Sequence, residues 1–354
     1  MSDHPILVQA LRGDTVESHH RGAIAVVDDH GRLIWSCGDI NRPIFPRSAV
    51  KLLQALPLVA SGAAQSLGLS DAELALACAS HGGEPAHAQT AASMLAKAGV
   101  DLNVLECGAH WPHHEGSQRR MARDNAKPTA LNNNCSGKHS GFVCVGCATS
   151  GLRGPHLAAF MKGYVEPEHP VMQAVTQAIS HATDHDLRQA PRGTDGCSIP
   201  TYAIPLQNLA LGFARAATGH GLSAPMAQAA TRLRRAIAAE PFMVAGTGRF
   251  DTKVMQRLGE RICCKVGAEG VYCASIPERG WGVALKMDDG NTSRAAEVAM
   301  AALMPFLLDL SEDDTAWVET LSNVSLRNWQ GRLVGHLRAN PEFQGALTRR
   351  ASLP

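Results

Sequence analysis

Strand patterns lie near the two ends of this chain, and a long helical stretch separates them. Residues 23–27 and 33–37 are β-branched or alternating and flank a turn, which predicts a hairpin. Three further strands are predicted in the carboxyl-terminal third, where glycine-containing turns separate short apolar runs, at 262–266, 271–276 and 281–287. Strands separated by a helical block favour an α+β fold, in which one antiparallel sheet built from both chain ends packs with a helical lobe.

The chain is long enough for one large domain, and nothing in it marks a linker. Its 354 residues contain no internal repeat, low-complexity tract or long Gly/Ser stretch. We therefore predict a single catalytic domain, 1–354, with a sheet lobe of about residues 1–60 and 255–354 and a helical lobe of about residues 61–254. The cleft between two such lobes is the default place for a functional site.

Composition argues against several kinds of partner. The formal net charge is +1 with both signs mixed along the chain, so no basic surface for nucleic acid is expected. The apolar stretch 298–310 is too short to span a membrane and contains Pro305. The first residues lack the charged and apolar regions of a signal peptide. Together with ten cysteines, this favours a cytoplasmic protein with free thiols and no membrane partner.

A serine and a lysine lie one turn apart in a predicted helix, residues 47–56. A lysine that is desolvated in a cleft has a lowered pKa, so Lys51 can take the proton of a Ser48 nucleophile. Ser80, in a polar turn, and Lys265, in a Lys-x-Gly on a predicted strand, follow in the order of the site motifs of penicillin-binding proteins and serine β-lactamases. The alternative is that Ser48 caps its helix and Lys51 is a solvated surface lysine. The order of the motifs favours Ser48 as a nucleophile over Ser48 as a helix cap.

The segment 132–141 gathers amides, a thiol, a lysine and a histidine. Its asparagines and glycines predict a loop that opens onto a helix. Cys135 in this loop and Cys197 in another lie in polar, glycine-rich surroundings, so their thiolates are able to share a soft metal such as zinc, with His139 or Lys138 nearby. From the residues alone, two unrelated loop cysteines are the better interpretation.

Six segments between about residue 8 and about residue 330 carry a family resemblance. They are Pro46–Lys51, Ala79–His81, Cys107–His110, Asn133–His139, Asp195–Ser198 and Lys265–Gly270. Together they resemble the Rhizobium etli-type L-asparaginases, also called class 3 or asparaginase II-like enzymes. The Asn-Asn-Cys-Ser-Gly-Lys-His segment is the most specific of the six.

The resemblance implies an amidohydrolase that converts L-asparagine to L-aspartate and ammonia. It also implies a fold similar to serine β-lactamases and bacterial glutaminases, and a homodimer. Carried over by motif, Ser48 with Lys51 and Ser80 with Lys265 form two adjacent serine–lysine pairs. Ser48 is the expected nucleophile, and Ser80 is its rival.

The resemblance further implies a zinc ion beside the substrate pocket, which need not be essential for the chemistry. The implied zinc ligands are Cys135, Lys138 and Cys197. The implied substrate-binding residues are Arg47, Asp195, His139 and Asn134, with Asp195 meeting the substrate ammonium group.

Two other functions stay open. One is a glutaminase or a β-lactamase-like serine acyl hydrolase; the missing export signal argues against penicillin-type substrates, which lie outside the cytoplasm. The other is a binding or regulatory protein that contains a structural zinc ion and has lost catalysis. The presence of all four serine and lysine residues, Ser48, Lys51, Ser80 and Lys265, argues against that second alternative.

Overall fold

The structure, a computed structural model, describes residues 4–351 and has the predicted α+β fold. Its strands are β1 Ile6–Arg12, β2 Thr15–Asp28, β3 Leu33–Cys37, β4 Pro43–Ile44, β5 Arg192–Thr194, β6 Pro200–Tyr202, β7 Ile204–Pro205, β8 Cys263–Val266, β9 Val271–Ile276, β10 Trp281–Met287, β11 Asn323–Arg327 and β12 Leu333–Ala339. Two small antiparallel pairs, β4 with β7 and β5 with β6, stand apart from the main sheet.

One antiparallel sheet joins the two ends of the chain. Its strands lie in the order β11-β12-β1-β2-β10-β9-β8, and β3 also pairs with β2. The long strand β2 links the two halves, because residues 15–21 pair with β1 and residues 22–28 pair with β10. The amino-terminal strands therefore occupy the middle of the sheet, between strands from the carboxyl-terminal third. This confirms the prediction of one sheet built from both chain ends.

Helices fill most of the chain between β3 and β8, and three more follow β10. They are α1 Lys51–Gln54, α2 Leu56–Ala60, α3 Ala63–Ser66, α4 Asp71–Ala77, α5 Pro85–Lys97, α6 Glu115–Arg123, α7 Ser136–Ser150, α8 Gly154–Phe160, α9 Pro170–Thr183, α10 Leu206–Thr218, α11 Ala224–Ala239, α12 Pro241–Ala245, α13 Phe250–Leu258, α14 Glu297–Leu307, α15 Glu312–Ser322 and α16 Pro341–Ala351. Short 3₁₀ segments occur at Arg47–Val50, Leu102–Val104, Ala130–Asn132 and Gly259–Arg261, and Thr292–Ala296 is a π-helix.

Two helices cover the central part of the sheet from opposite faces. On one face α10 comes so close to β10 that a Cβ on Gly282 would lie 2.0 Å from the Ala210 carbonyl oxygen. Only glycine permits that approach. On the other face Trp281 stacks on Phe306 of α14, with ring centroids 5.7 Å apart. Because neighbouring strand residues point to opposite faces, β10 contributes to both layers of the core.

The predicted hairpin is β2 with β3, and the three predicted later strands are β8, β9 and β10. The helix predicted over residues 47–56 is different: it is a 3₁₀ turn, Arg47–Val50, followed by α1 and then α2. Pro57 explains the second break, because it has no N–H to bond the carbonyl four residues earlier, so the helix restarts around it.

The division into lobes at about residues 60 and 254 stays a prediction. Across residues 4–351, none of the helices combines the length and the apolar character that a bilayer crossing requires.

Candidate active site

The amine of Lys51 lies at the centre of a buried polar group. Lys51 begins α1 and is only 1% exposed. Its Nζ donates to the Ala79 carbonyl oxygen at 2.5 Å, to Ser80 Oγ at 2.9 Å and to Cys135 Sγ at 3.1 Å. An ammonium group has three N–H donors, so these acceptors use all of them. The structure thus brings together three of the residues predicted for the site, although they are far apart in the sequence.

Ser48 lies in the strained turn that precedes α1. The preceding residue, Arg47, has φ +50°, a left-handed conformation that costs a non-glycine residue about 1 kcal/mol or more. An ion pair of 2.7 Å from Arg47 Nε to Asp195 Oδ1 holds the turn. Ser48 is half-buried, and its hydroxyl makes no hydrogen bond within residues 4–351. A free, accessible hydroxyl after a strained residue is suited to attack a substrate.

The hydrogen bonds do not follow the serine–lysine pairs that the resemblance implies. In the described part of the chain, Ser80 bonds to Lys51 and not to Lys265. The sequence spacing of Ser48 and Lys51 suggests a contact between their side chains, but the turn is a 3₁₀ segment and the Lys51 amine is held by acceptors further along the chain.

Lys265 is the second buried lysine of the site. It lies on β8, is 3% exposed, and its Nζ donates to the Val266 carbonyl oxygen at 2.7 Å. Burial lowers the pKa of Lys265 to about 7, and the nearby positive charge of Lys51 acts in the same direction, while the carboxylate of Asp251 opposes both. Near neutral pH this amine is therefore partly unprotonated, which is the state that a general base needs.

The strand that carries Lys265 packs directly against the turn that carries Ser48. A Cβ on Gly267, just after β8, would lie 2.7 Å from the Pro46 carbonyl oxygen and 3.1 Å from the backbone nitrogen of Ala49. The absence of a side chain at Gly267 thus lets the two backbones meet. The end of the strand that carries Lys265 therefore lies against the turn that carries Ser48.

Two cysteines and a second lysine continue the polar group. The pKa of the Cys135 thiol is held well below its ordinary value, first by a hydrogen bond from Cys197 and then by Lys51 and Lys138, which together outweigh the effect of burial. The pKa of Cys197 is raised, because it donates to Cys135 and because it is buried. Lys138 Nζ donates to Cys197 Sγ at 3.0 Å. Cys135 is therefore the thiolate of the pair.

The sulfurs of Cys135 and Cys197 and the amine of Lys138 form a donor set that fits a soft or borderline metal ion. Thiolates are preferred zinc ligands, and the three groups lie in contact in a buried setting. Burial alone would lower the pKa of Lys138, but the neighbouring Cys197 and Cys135 raise it, so without a metal the amine is protonated. Binding as a ligand requires loss of that proton.

The predicted substrate-binding residues occupy different depths. Asp195 pairs with Arg47 through Oδ1 only, and Gly196 N–H donates to the same oxygen at 2.8 Å. Burial alone would raise the Asp195 pKa, but the charges of Lys138 and Arg47 lower it, so the carboxyl is ionised. Its Oδ2 makes no hydrogen bond within the described residues.

Asn134 and His139, which precede and follow Cys135 in the sequence, differ in their burial. The half-buried Asn134 donates its backbone N–H to His110 Nε2 at 2.9 Å. His139 is fully buried, and its Nδ1 lies 2.6 Å from the Tyr164 hydroxyl. Its Nε2 has no hydrogen-bond partner among residues 4–351. His139 is therefore inaccessible to a substrate from the surface, whereas Asn134 is partly accessible.

Two residues that position the site are absent from the sequence prediction. Asn133 accepts the Cys135 N–H on Oδ1 at 2.8 Å and donates to the Cys107 carbonyl oxygen at 2.8 Å. His81 accepts the Gly83 N–H on Nδ1, so its Nε2 carries the proton and donates to Ser136 at 3.0 Å. Both residues lie inside segments that the sequence prediction emphasised, and each of them ties the Cys135 loop to another loop.

Asp251 binds the backbone of the strand that carries Lys265. Its Oδ2 accepts the Val266 N–H at 3.1 Å, and Tyr272 donates its hydroxyl to Oδ1. Asp251 is 2% exposed. No sequence signal singles out Asp251, because a charged residue is ordinary in an amphipathic helix; its role follows from its burial, since a buried carboxylate needs specific partners.

A model of the L-asparaginase II family matches residues 8–339. The chain belongs to the L-asparaginase II family. This confirms the asparaginase II-like resemblance, and the Rhizobium etli type stays a prediction. Members of this family of amidohydrolases act on small molecules, and in this family member the match includes every predicted site residue from Arg47 to Lys265. Among curated proteins, no significant match to the chain was found.

Solved structures similar to this L-asparaginase II family member show a weak likeness. Mglu in its tris and glutamate form has a TM-score of 0.36 and 13% identity, and the match covers 87% of this chain and 65% of that chain. A β-lactamase from Mycobacterium bovis, Mb2281c, has a TM-score of 0.35 and 13% identity, with 81% and 95% covered. The chain thus spans about two thirds of the length of Mglu. Likenesses of this strength carry no argument about chemistry.

Proposed function

We propose that this chain hydrolyses L-asparagine to L-aspartate and ammonia by a serine–lysine nucleophilic mechanism. The observation that carries the proposal is the buried hydrogen bond of 2.9 Å between Lys51 Nζ and Ser80 Oγ, in a member of the L-asparaginase II family. A buried lysine on a serine hydroxyl, with a second lysine of lowered pKa nearby, supplies both a proton donor and a proton acceptor for acyl transfer.

In the proposed first step, the Ser48 hydroxyl oxygen attacks the side-chain amide carbon of asparagine. The neutral amine of Lys265 takes the hydroxyl proton. As the carbon–nitrogen bond breaks, Lys51 passes a proton through the Ser80 hydroxyl to the leaving nitrogen, which departs as ammonia. A β-aspartyl ester on Ser48 remains, with Lys265 protonated and Lys51 neutral.

In the proposed second step, water attacks the ester. The neutral Lys51 takes the proton of the water through Ser80, and Lys265 returns its proton to the Ser48 oxygen as the ester bond breaks. The product leaves with a neutral β-carboxyl group, which passes its proton to ammonia or water in solution to give aspartate, and both lysines recover their starting states. No proton is gained or lost by the protein over the cycle.

Asp195 and the cysteine group supply the positioning in this proposal. The free Oδ2 of Asp195 receives the α-ammonium group of the substrate, and Arg47 keeps the carboxylate in place. Cys135, Lys138 and Cys197 would hold zinc, whose positive charge would orient the carboxylate of the substrate head group. We further propose that the enzyme is a homodimer, to be checked by sedimentation.

Ammonia release from L-asparagine and from L-glutamine tests the proposal. We expect turnover of asparagine that falls below detection in Ser48→Ala and is unchanged in Ser18→Ala, an exposed serine on β2. A strong zinc chelator should weaken binding of asparagine more than it slows turnover. Full activity of Ser48→Ala would remove the nucleophile role from Ser48, and turnover of glutamine without asparagine would replace the proposed substrate.

A further inference from the structure

A second group of potential metal ligands lies at the surface, on two turns. Asp29 and His30 belong to the turn between β2 and β3, and His220 belongs to the turn after α10. One ligand atom from each of the three residues lies within 4.8 Å of the others. The ring centroids of His30 and His220 are 4.1 Å apart. None of these residues contacts the Lys51 group through a hydrogen bond within the described chain.

The hydrogen bond of His220 leaves one ring nitrogen free to bind a metal. His220 Nδ1 lies 3.2 Å from the Asp29 backbone carbonyl oxygen. A carbonyl only accepts, so Nδ1 carries the proton and Nε2 holds a free lone pair. Metal-binding histidines commonly donate their other ring N–H to a backbone carbonyl in this way, which fixes the tautomer and the ring orientation.

The backbone around Asp29 and His30 is held by hydrogen bonds to Asp28. Asp28 Oδ1 accepts the His30 N–H at 3.1 Å and the Arg32 N–H at 2.8 Å, which fixes the first turn. The carboxylate of Asp29 lies 3.8 Å from His30 Nε2, too long for a strong hydrogen bond. The His30 side chain is 69% exposed. This exposed side chain is therefore not held by packing and has room to turn towards an ion at the other two residues.

We propose that Asp29, His30 and His220 form a surface site for Zn²⁺. Two imidazole nitrogens and one carboxylate oxygen are a common zinc ligand set, and water completes the tetrahedron. The site contains no thiolate, so it differs chemically from the cysteine group and does not depend on the proposed function. Because the ligands come from turns 191 residues apart, a bound ion clips the β2–β3 hairpin to the end of α10.

Calorimetric titration of the full chain with Zn²⁺ tests this site. The double variant Cys135→Ser/Cys197→Ser removes the thiol ligands, and in that background we expect one zinc to bind. Adding His220→Ala should weaken this binding about tenfold or more, whereas adding His19→Ala, an exposed histidine on β2, should leave it unchanged. Equal affinity of the His220→Ala and His19→Ala proteins would overturn the proposal.

A second variant keeps the test independent of the His220 turn. Asp29→Asn retains the backbone carbonyl that orients His220 but loses the anionic ligand, so it should also bind zinc more weakly. Zinc should raise the melting temperature of the double cysteine variant and should raise that of the Asp29→Asn version less at the same zinc concentration. Ammonia release by Asp29→Asn in the otherwise unchanged chain should equal that of the wild type, so failure of this site is distinguishable from failure of the proposed function.

Discussion

At the scale of single residues, the two buried lysines of the site have opposite environments. Lys51 has three hydrogen-bond acceptors around its amine. Lys265 has one backbone acceptor, and burial lowers its pKa to about 7. Lys265 is therefore the lysine of the site that is suited to accept a proton, and Lys51 is the one suited to donate hydrogen bonds.

The pH dependence of the reaction follows from Lys265. A base acts when it is unprotonated, and the neutral fraction of Lys265 grows as the pH rises through about 7. We therefore expect kcat/KM for asparagine to rise through that range. Lys265→Arg keeps the positive charge but does not lose its proton, so kcat/KM should fall about a hundredfold or more.

Ammonia release measured between about pH 5 and about pH 9 checks this expectation. The exposed Lys162→Arg serves as the control and should keep the wild-type profile. Wild-type activity in Lys265→Arg would exclude Lys265 as the base.

At the scale of the elements, the site depends on the packing of β8 against the 3₁₀ turn Arg47–Val50. Gly267 allows the two backbones to meet, and Asp251 of α13 holds the strand by accepting the Val266 N–H. Neither contact is between sequence neighbours. The geometry at Ser48 is thus set by a strand that lies more than half of the chain away.

Gly267→Ala should disturb that packing. The added methyl group would lie 2.7 Å from the Pro46 carbonyl oxygen, so one backbone must shift. We expect the free energy of unfolding to fall by about 1–3 kcal/mol, and kcat to fall because Ser48 moves.

Urea unfolding and ammonia release measure the two effects. Gly193→Ala is the matched control, since its methyl group would meet nothing nearer than 3.8 Å. An unchanged stability of Gly267→Ala relative to Gly193→Ala would show that the contact is not tight.

At the scale of the whole molecule, the main sheet brings strands from the two ends of the chain together. β1 pairs with β2 on one side and with β12 on the other. Strands β11 and β12 were not predicted from the sequence. β11 alternates polar and apolar residues over only five positions, and Gly335, His336 and Arg338 interrupt the apolar residues of β12. Their pairing depends on contact between the two ends of the chain, which the local sequence does not show.

Removal of the last strands should destabilise the entire fold. Deletion of residues 323–354 leaves β1 as an open edge, which favours aggregation. Deletion of residues 341–354 removes α16 but keeps β12 paired with β1, and it should leave a soluble, cooperatively unfolding protein of lower melting temperature. Thermal unfolding and size-exclusion chromatography distinguish the two deletions. Equal behaviour of both would mean that the β1–β12 pairing adds little.

The sequence alone determined the local elements and the residue types of the site. The strands β9 and β10 have their predicted bounds, because a short apolar run bounded by glycine-containing turns is a local signal. The serines, lysines and cysteines of the site were likewise recognisable, because they lie in a Ser-x-x-Lys or Lys-x-Gly motif or in polar turns and loops. Only the tertiary structure decided which of them touch: Ser80 bonds to Lys51, and Cys135 bonds to both Lys51 and Cys197. The physical reason is that a hydrogen bond between distant side chains depends on how strands and helices pack, and the spacing of residues along one element does not contain that information.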